Sequence, residues 1–543
     1  MSNNSAQRDS ADFIVIGAGA AGCVLADKLS ADGKYSVVVL EAGNMDNSPY
    51  VRIPAAVIFT AGNPDFDWCL TCEPDPTRNH RIDAWPRGKL VGGSTSTNGQ
   101  LYVRGQPADF NGWSALGNQG WSYDEVLPYF KELECYSGED TDDSRGRDGA
   151  LKVNSIRGPH ALSNAFVDAA VETGIPQTKD YNGRNQLGAS LVQATQKRGW
   201  RHSASRAFLH PHRKRKNLRL ITAAKVQRLE ISDGVAHGVH YRHNNRDRYI
   251  AANQEVILAA GAIGSPQLLM LSGIGNEAHL NDTGITPQKH LPGVGQNLQE
   301  HAGVWLVKRV KEGIRTLNME FGWRGALRHG PSFLLFGSGP IASPTAQALA
   351  FIKSSPEEKN PDIQVHFTPL GYKIEGDAVT LLDHPAMLCV VNVSNPESRG
   401  QIRLASRDPE QAPKIEARLL DTPKDIERLI AGCRIVRTMM EAPALAEHSL
   451  EETFPGPEVQ TDEEWEELLR EAVGPVYHVV GTCKMGNDEF AVVDAQLRVH
   501  GIKNLRVADA SIMPTITSGN TNAPTMMIAA KAAHDILDAL GAS

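Results

Sequence analysis

Residues 12–41 leave the chain few ways to fold. Asp12-Phe13-Ile14-Val15-Ile16 is a short β-branched and aromatic run, Gly17-Ala18-Gly19-Ala20-Ala21-Gly22 follows at once, and Cys23 to Leu29 carries a helical pattern. A second apolar run, Val37-Val38-Val39-Leu40, ends in Glu41. Strand, glycine turn, helix and strand in that order make a right-handed crossover, which calls for a parallel sheet covered by helices. The first glycine permits the tight turn, the second lets backbone approach a pyrophosphate, and the third lets the helix pack on the strand. The helix N-terminus then presents its free N–H groups to phosphate. Glu41, nineteen residues beyond Gly22, stands where a carboxylate accepts from ribose hydroxyls and repels a 2′-phosphate. Gly17, Gly19, Ala20, Ala21, Gly22 and Glu41 are therefore expected to bind FAD or NAD rather than NADP.

At 543 residues the chain is long enough for two or more domains. Its 41% hydrophobic and 22% charged content suits a folded chain, and no apolar run approaches the roughly 18 residues of a membrane span. The net charge of −8 offers no overall positive field, so nucleic acid is not an expected partner, and Arg213-Lys214-Arg215-Lys216 reads as a solvated face. Seven scattered cysteines suit a reducing compartment. Cys69 and Cys72 lack the second pair of a zinc ribbon, and no metal is expected. With no apolar core of a signal peptide in MSNNSAQRDS, the expected location is the cytoplasm, or the inner membrane face if electrons pass to a quinone.

Helices are expected at 122–132, 163–173 and 423–440. A capping box at Thr461 and Glu464 opens an acidic helix to about 473. Strand patterns occupy 219–230 and 400–405, while 60–115 reads as ordered loop. Within it Gly88 to Gly99, including Gly92, Gly93, Ser94 and Asn98, offers backbone N–H groups and small side chains to a flat ring or a pyrophosphate, a surface loop being the alternative. The glycine-rich stretch 330–340 suits either a lid or pocket wall, or a core strand.

Together these residues resemble the glucose-methanol-choline (GMC) family of FAD-dependent oxidoreductases from about residue 12 to 540. The loop 88–111, with Gly92-Gly93, Asn98, Tyr102 and Gly105, is similar to the family's first pattern. Residues 261–275 are similar to its second, and Leu291 to His301 to a further flavin-domain stretch. The resemblance implies an α/β (α+β overall) fold. A Rossmann-like FAD-binding domain would come from 1–156, 216–301 and 486–543, and a substrate-binding domain on an antiparallel sheet from 157–215 and 302–485. It also implies backbone contact from Val226 to the adenine, and Asp509 with Ala510 near the ribityl chain and pyrophosphate. Gly92, Gly93, Ser94, Asn98, Gly99 and Asn522 would then contact the cofactor too. Some members bond the flavin through a histidine in the first loop; Thr97 cannot, so FAD is expected to be noncovalent.

Oxidising an alcohol needs a base for the hydroxyl proton and an acceptor for the hydride. His478, in Tyr477-His478-Val479-Val480-Gly481, resembles the family's catalytic histidine, although proline is common where Val479 stands. The family places histidine or asparagine at a partner position. Counting back from Pro524-Thr525-Met526 puts Asn522 there, with Asn520 as the second candidate. An amide at this place orients the alcohol and stabilises an alkoxide, and Asn522 also reads as a helix N-cap. The resulting expectation is oxidation of a primary alcohol to an aldehyde, His478 taking the proton and flavin N5 the hydride. The electron acceptor stays open among oxygen, a quinone and others. No carboxylate cage for a cationic substrate is visible, which places an aliphatic or aromatic alcohol ahead of choline. The alternatives are a hydroxynitrile lyase or light-driven fatty-acid decarboxylase of the same fold, a non-catalytic FAD-binding protein and, from the glycine fingerprint alone, an NAD-dependent dehydrogenase.

Overall fold

A computed structural model describes residues 9–140, 142–375 and 378–541. Two seven-stranded sheets organise them. In the first, the order is Leu218–Ile221, Val37–Leu40, Ser10–Ile16, Arg246–Leu258, Val235–His243 and Ala224–Ser232, with Leu505–Val507 also beside Arg246–Leu258. Its centre is parallel, and Ala20–Leu29 is the helix between the first two strands of the chain. Val37–Leu40 is buried at all four positions. That is why the run is continuously apolar: both faces of a parallel sheet are covered. The C-terminal helix Asn522–Gly541 packs along Ala20–Leu29, so the two ends of the chain close one layer.

The second sheet is antiparallel, in the order Ser449–Phe454, Ala302–Val310, Ala386–Val393, Ile363–Thr368, Ala348–Ile352 and Gly188–Leu191, with Gly474–Pro475 beside Ala302–Val310. Helices Ala161–Glu172 and Pro423–Glu441 cover one face. The opposite face is turned to a large cavity. Because strand side chains alternate, Gly303 and Trp305, His366 and Thr368, and Leu388 and Val390 all reach it from neighbouring strands.

The expected helices are found as Tyr123–Leu133, Ala161–Glu172, Pro423–Glu441 and Asp462–Ala472, the last with the Thr461 and Glu464 box closed in both directions. Two sequence readings are corrected. The strand expected over 219–230 is two strands, broken where Ala223 takes a positive φ of 49° and donates to the Gly43 carbonyl. Residues 330–340 are not a core strand. Residues 330–336 are the last turns of the helix Trp323–Phe336, most of whose apolar side chains face outward, Gly337 caps it, and Pro340 opens a separate short 3-10 turn.

Candidate active site

The cavity has a volume of about 1340 Å³, above the roughly 300–1,000 Å³ of ordinary small-molecule pockets. One half is built on the glycine turn. Gly17 has φ +98°, and a Cβ there would come 2.6 Å from the Ala259 carbonyl oxygen; a Cβ on Gly22 would come 1.8 Å from the Gly17 oxygen. These two glycines let the turn form and the helix seat on the strand. Gly19 differs, since a Cβ there would meet no protein atom within 4 Å: it faces the cavity. The second glycine loop touches the first, as a Cβ on Gly93 would lie 2.8 Å from the Gly19 Cα. Helices Ala20–Leu29 and Gly261–Leu271 both start at the cavity with no side-chain cap on their first N–H groups.

Of the residues expected to bind the cofactor, Gly17, Gly19, Ala20, Ala21 and Glu41 line this cavity, as do Gly93, Ser94, Asn98 and Gly99, and Val226, Asp509, Ala510 and Asn522. Gly22 and Gly92 lie behind the wall. Gly92 donates to the Ala18 carbonyl at 2.7 Å and so ties the two loops together. Glu41 accepts from the N–H groups of Ala18 and Gly43, each at 2.8 Å, and burial lifts its carboxyl to about 7. Each oxygen keeps a second lone pair for a hydroxyl. Asp509 is buried, its pKa raised by desolvation. It accepts from Gly261 N–H, the Ser265 hydroxyl and Ser511, locking the Gly261–Leu271 helix to the C-terminal segment. Val226 sits on the end strand of its sheet, where one backbone edge has no strand partner among the described residues. An open glycine face, two uncapped helix starts, and a long cavity with a carboxylate at each end of the chain fit a dinucleotide carrying a ring system.

The other half holds the histidines. His478 Nε2 lies 2.8 Å from Asn520 Nδ2, and His478 Nδ1 lies 2.9 Å from His301 Nδ1. His301 Nε2 in turn lies 2.8 Å from the Ser394 carbonyl oxygen. A carbonyl only accepts, so His301 carries its proton on Nε2 and offers a lone pair at Nδ1. His478 then donates from Nδ1, which leaves its Nε2 unprotonated toward the cavity. The amide agrees: Asn520 Oδ1 accepts from Gln364 Nε2 at 3.2 Å, and its Nδ2 donates to that Nε2. Burial holds His478 well below the usual imidazole range, with His301, His366 and Arg87 adding to the effect. Burial also takes His301 and His366 down to about 4. Beneath them Glu300 accepts the backbone N–H of His478 at 2.6 Å and of His301 at 2.9 Å, and burial raises it to about 7.

The structure pairs His478 with Asn520, the second candidate, and not with Asn522, the position reached by counting back from Pro524-Thr525-Met526. Asn522 is the first residue of the C-terminal helix, and the turn Ser518-Gly519 before it brings position 520 back to the imidazole. His366 and Gln364 were missed from sequence. Their signal was an alternation in Ile363-Gln364-Val365-His366-Phe367-Thr368, a polar residue at every second position of a wholly buried strand.

Models of the GMC oxidoreductase family match residues 11–303 with the N-terminal part and residues 396–529 with the C-terminal part. The chain is 42% identical over 97% of its length, and 95% of the relative's, to an oxygen-dependent choline dehydrogenase of Sinorhizobium fredii. It is 39% identical, with the same coverage of each, to an alcohol dehydrogenase [acceptor] of Pseudomonas putida. Among solved structures it is similar to pyridoxine 4-oxidase from Mesorbium loti, with a TM-score of 0.87 and 28% identity over 97% of this chain and 99% of that one.

Proposed function

Because the chain belongs to the GMC oxidoreductase family, FAD-dependent enzymes acting on CH–OH groups, we propose that it oxidises an apolar primary alcohol to the aldehyde with His478 as the base. The observation that carries this reading is the unprotonated Nε2 of His478, presented to the cavity between Asn520 and the sheet wall. The alcohol hydroxyl binds beside both groups. The hydroxyl replaces the Asn520 N–H at His478 Nε2, His478 takes its proton there, and the released N–H of Asn520 Nδ2 donates to the oxygen as negative charge grows. His301 Nδ1 keeps accepting from His478 Nδ1 and so stabilises the cation that forms. Gly19, Gly93, Ser94 and the helix starts at Ala20 and Gly261 would hold the cofactor, with Glu41 at the ribose, Val226 at the adenine and Asp509 near the pyrophosphate. Bound FAD supplies the hydride acceptor, and Thr97, which lines the cavity, has no nitrogen with which to bond it covalently.

The substrate reading rests on the apolar lining of the cavity that holds His478, which includes Trp305, Leu317, Phe321, Tyr372, Leu388 and Val390. The carboxylate beside them, Glu320, is engaged by Arg315, Arg328 and His329 and is no free counter-ion for a quaternary ammonium. The test is an anaerobic titration of the purified yellow protein with straight-chain and aryl primary alcohols and with choline. Bleaching of the flavin band by the apolar alcohols, abolished in His478→Ala, is the expected result. Preferential bleaching by choline would overturn the substrate class, and no bleaching by any alcohol would overturn the reaction.

A further inference from the structure

A second pocket, of about 760 Å³, lies apart from the histidines and serves none of the chemistry above. Arg52, Arg157, Lys197, Arg198 and Arg206 line it, and among its described lining residues there is no carboxylate. Four of these cations are exposed; Arg206 is half-buried and paired with Asp46. Arg201 also reaches the pocket. Its side chain is buried, with Nε and Nη1 bonded to Val51, Thr95 and Asn98, while Nη2 has no hydrogen-bond partner among the described residues. A chain of net charge −8 has thus placed five basic side chains around a buried guanidinium whose Nη2 lacks an acceptor among the described residues.

The rim of this pocket is apolar. Leu334, Leu335 and Phe336 line it and are 71%, 75% and 67% exposed. They end the helix Trp323–Phe336, on which Trp323 and Leu327 are each 70% exposed as well. Five such side chains on one helix exceed the scattered single hydrophobics of an ordinary surface. From Phe321 to Ile352 the sequence has no Asp or Glu, while Arg324 and Arg328 supply charge on the helix. Arg157 Nη1 donates to the Phe336 carbonyl, and Trp200 joins Arg52 at 5.0 Å to Phe333 at 4.6 Å, so helix and basic pocket form one continuous surface.

We propose that this surface docks on an anionic phospholipid bilayer, the pocket taking a headgroup phosphate and the Trp323–Phe336 helix lying in the interface with its leucines and aromatics among the acyl chains. An acid-free amphipathic helix with exposed aromatic and leucine side chains, flanked by arginines, is complementary to both parts of such a surface. The first turn of the same helix, at Trp323 and Ala326, lines the main cavity together with Ile58 and Phe59. Docking therefore sets the cavity mouth at the lipid, from which an apolar alcohol would enter without crossing water. That last step rests on the alcohol reading; the docking surface does not.

The experiment is co-sedimentation of the FAD-loaded protein with vesicles of phosphatidylcholine alone or mixed with phosphatidylglycerol. Binding to the anionic vesicles only, released at about 1 M salt, is expected. Arg157→Glu with Arg198→Glu should weaken it at least about twentyfold, since each cation near such a surface is worth roughly fivefold. Leu334→Asp with Leu335→Asp should abolish it. Both double variants should keep wild-type flavin absorbance and thermal midpoint, which reports that they fold. Failure to bind vesicles, or binding untouched by either variant, overturns the proposal. So does binding of inorganic phosphate, measured by calorimetry, without vesicle binding, which would mark a site for a free anion. A dimer in light scattering that Leu334→Asp with Leu335→Asp splits, again without vesicle binding, would assign the face to a second copy of the chain. Vesicle binding and flavin bleaching are separate readouts, so either reading can fail alone.

Discussion

The Nδ1 atoms of His301 and His478 stand 2.9 Å apart with their rings 83° from coplanar, and the far nitrogen of His301 meets a backbone carbonyl. One carbonyl, at Ser394, thereby sets the tautomer of two histidines in series. It does so without placing a charge in the cavity wall, unlike a carboxylate in the same position. On the proposed mechanism His301 is a positioning residue, two hydrogen bonds removed from the substrate. His301→Leu should lower kcat by roughly tenfold to a hundredfold with little change in KM, while His301→Gln, whose amide oxygen accepts from Nδ1, should recover part of the loss. Steady-state kinetics of the two variants, with flavin content as the folding control, check this. Equal losses in both, or a loss confined to KM, would count against the relay.

The two asparagines separate by the same measurement. Asn520→Ala removes the donor beside His478 Nε2 and should cost about 10²–10³ in kcat. Asn522→Ala, at the first position of the C-terminal helix, should leave kcat within a few-fold and stability within about 0.5 kcal/mol. The reverse ranking would restore the pairing expected from sequence.

The pH profile follows from burial. His478 is held well below the ordinary imidazole value, so its Nε2 stays unprotonated at pH values where a solvated imidazole has gained a proton. With His478 as the proposed base, the rate is expected to fall as pH falls, because the protonated form is no base. The acid limb of kcat/KM should therefore lie below about pH 6.5 rather than at it. Stopped-flow flavin reduction across that range measures the limb directly, and an inflection at or above the imidazole value would contradict the buried geometry.

The glycines predict opposite failures. A Cβ on Gly22 would stand 1.8 Å from the Gly17 oxygen, so Gly22→Ala should destabilise the fold, by roughly 1–3 kcal/mol or more. Gly19 has open space there, and Gly19→Val should keep its thermal midpoint without cofactor yet carry little FAD. Thermal melts beside the flavin-to-protein absorbance ratio distinguish the two. Equal FAD content in Gly19→Val and wild type would remove Gly19 from the cofactor site.

Much of the first sheet was legible because its signals are local. The run Phe13 to Ile16, the turn Gly17 to Gly22 and the run Val37 to Leu40 each declare a conformation through sterics and burial within a few residues. The helix of 323–336 was harder to read. Its glycines and Pro331 suggested a loop or strand, and its apolar side chains suggested a core they do not occupy.

By itself the sequence determined the βαβ crossover with its glycine turn, the family resemblance, and His478 as the candidate base, since each rests on residue types at fixed short spacings. Only the tertiary structure decided which asparagine meets His478, that His301 sets its tautomer through Ser394, that Gln364 donates to Asn520 and that His366 lines the cavity. Those contacts join residues 42 to 177 positions apart. They come from one strand of the antiparallel sheet, from residues flanking the ends of two others, from the segment carrying His478 and from the bend before the last helix, and no spacing along the chain encodes a distance that is set by how sheets and helices pack.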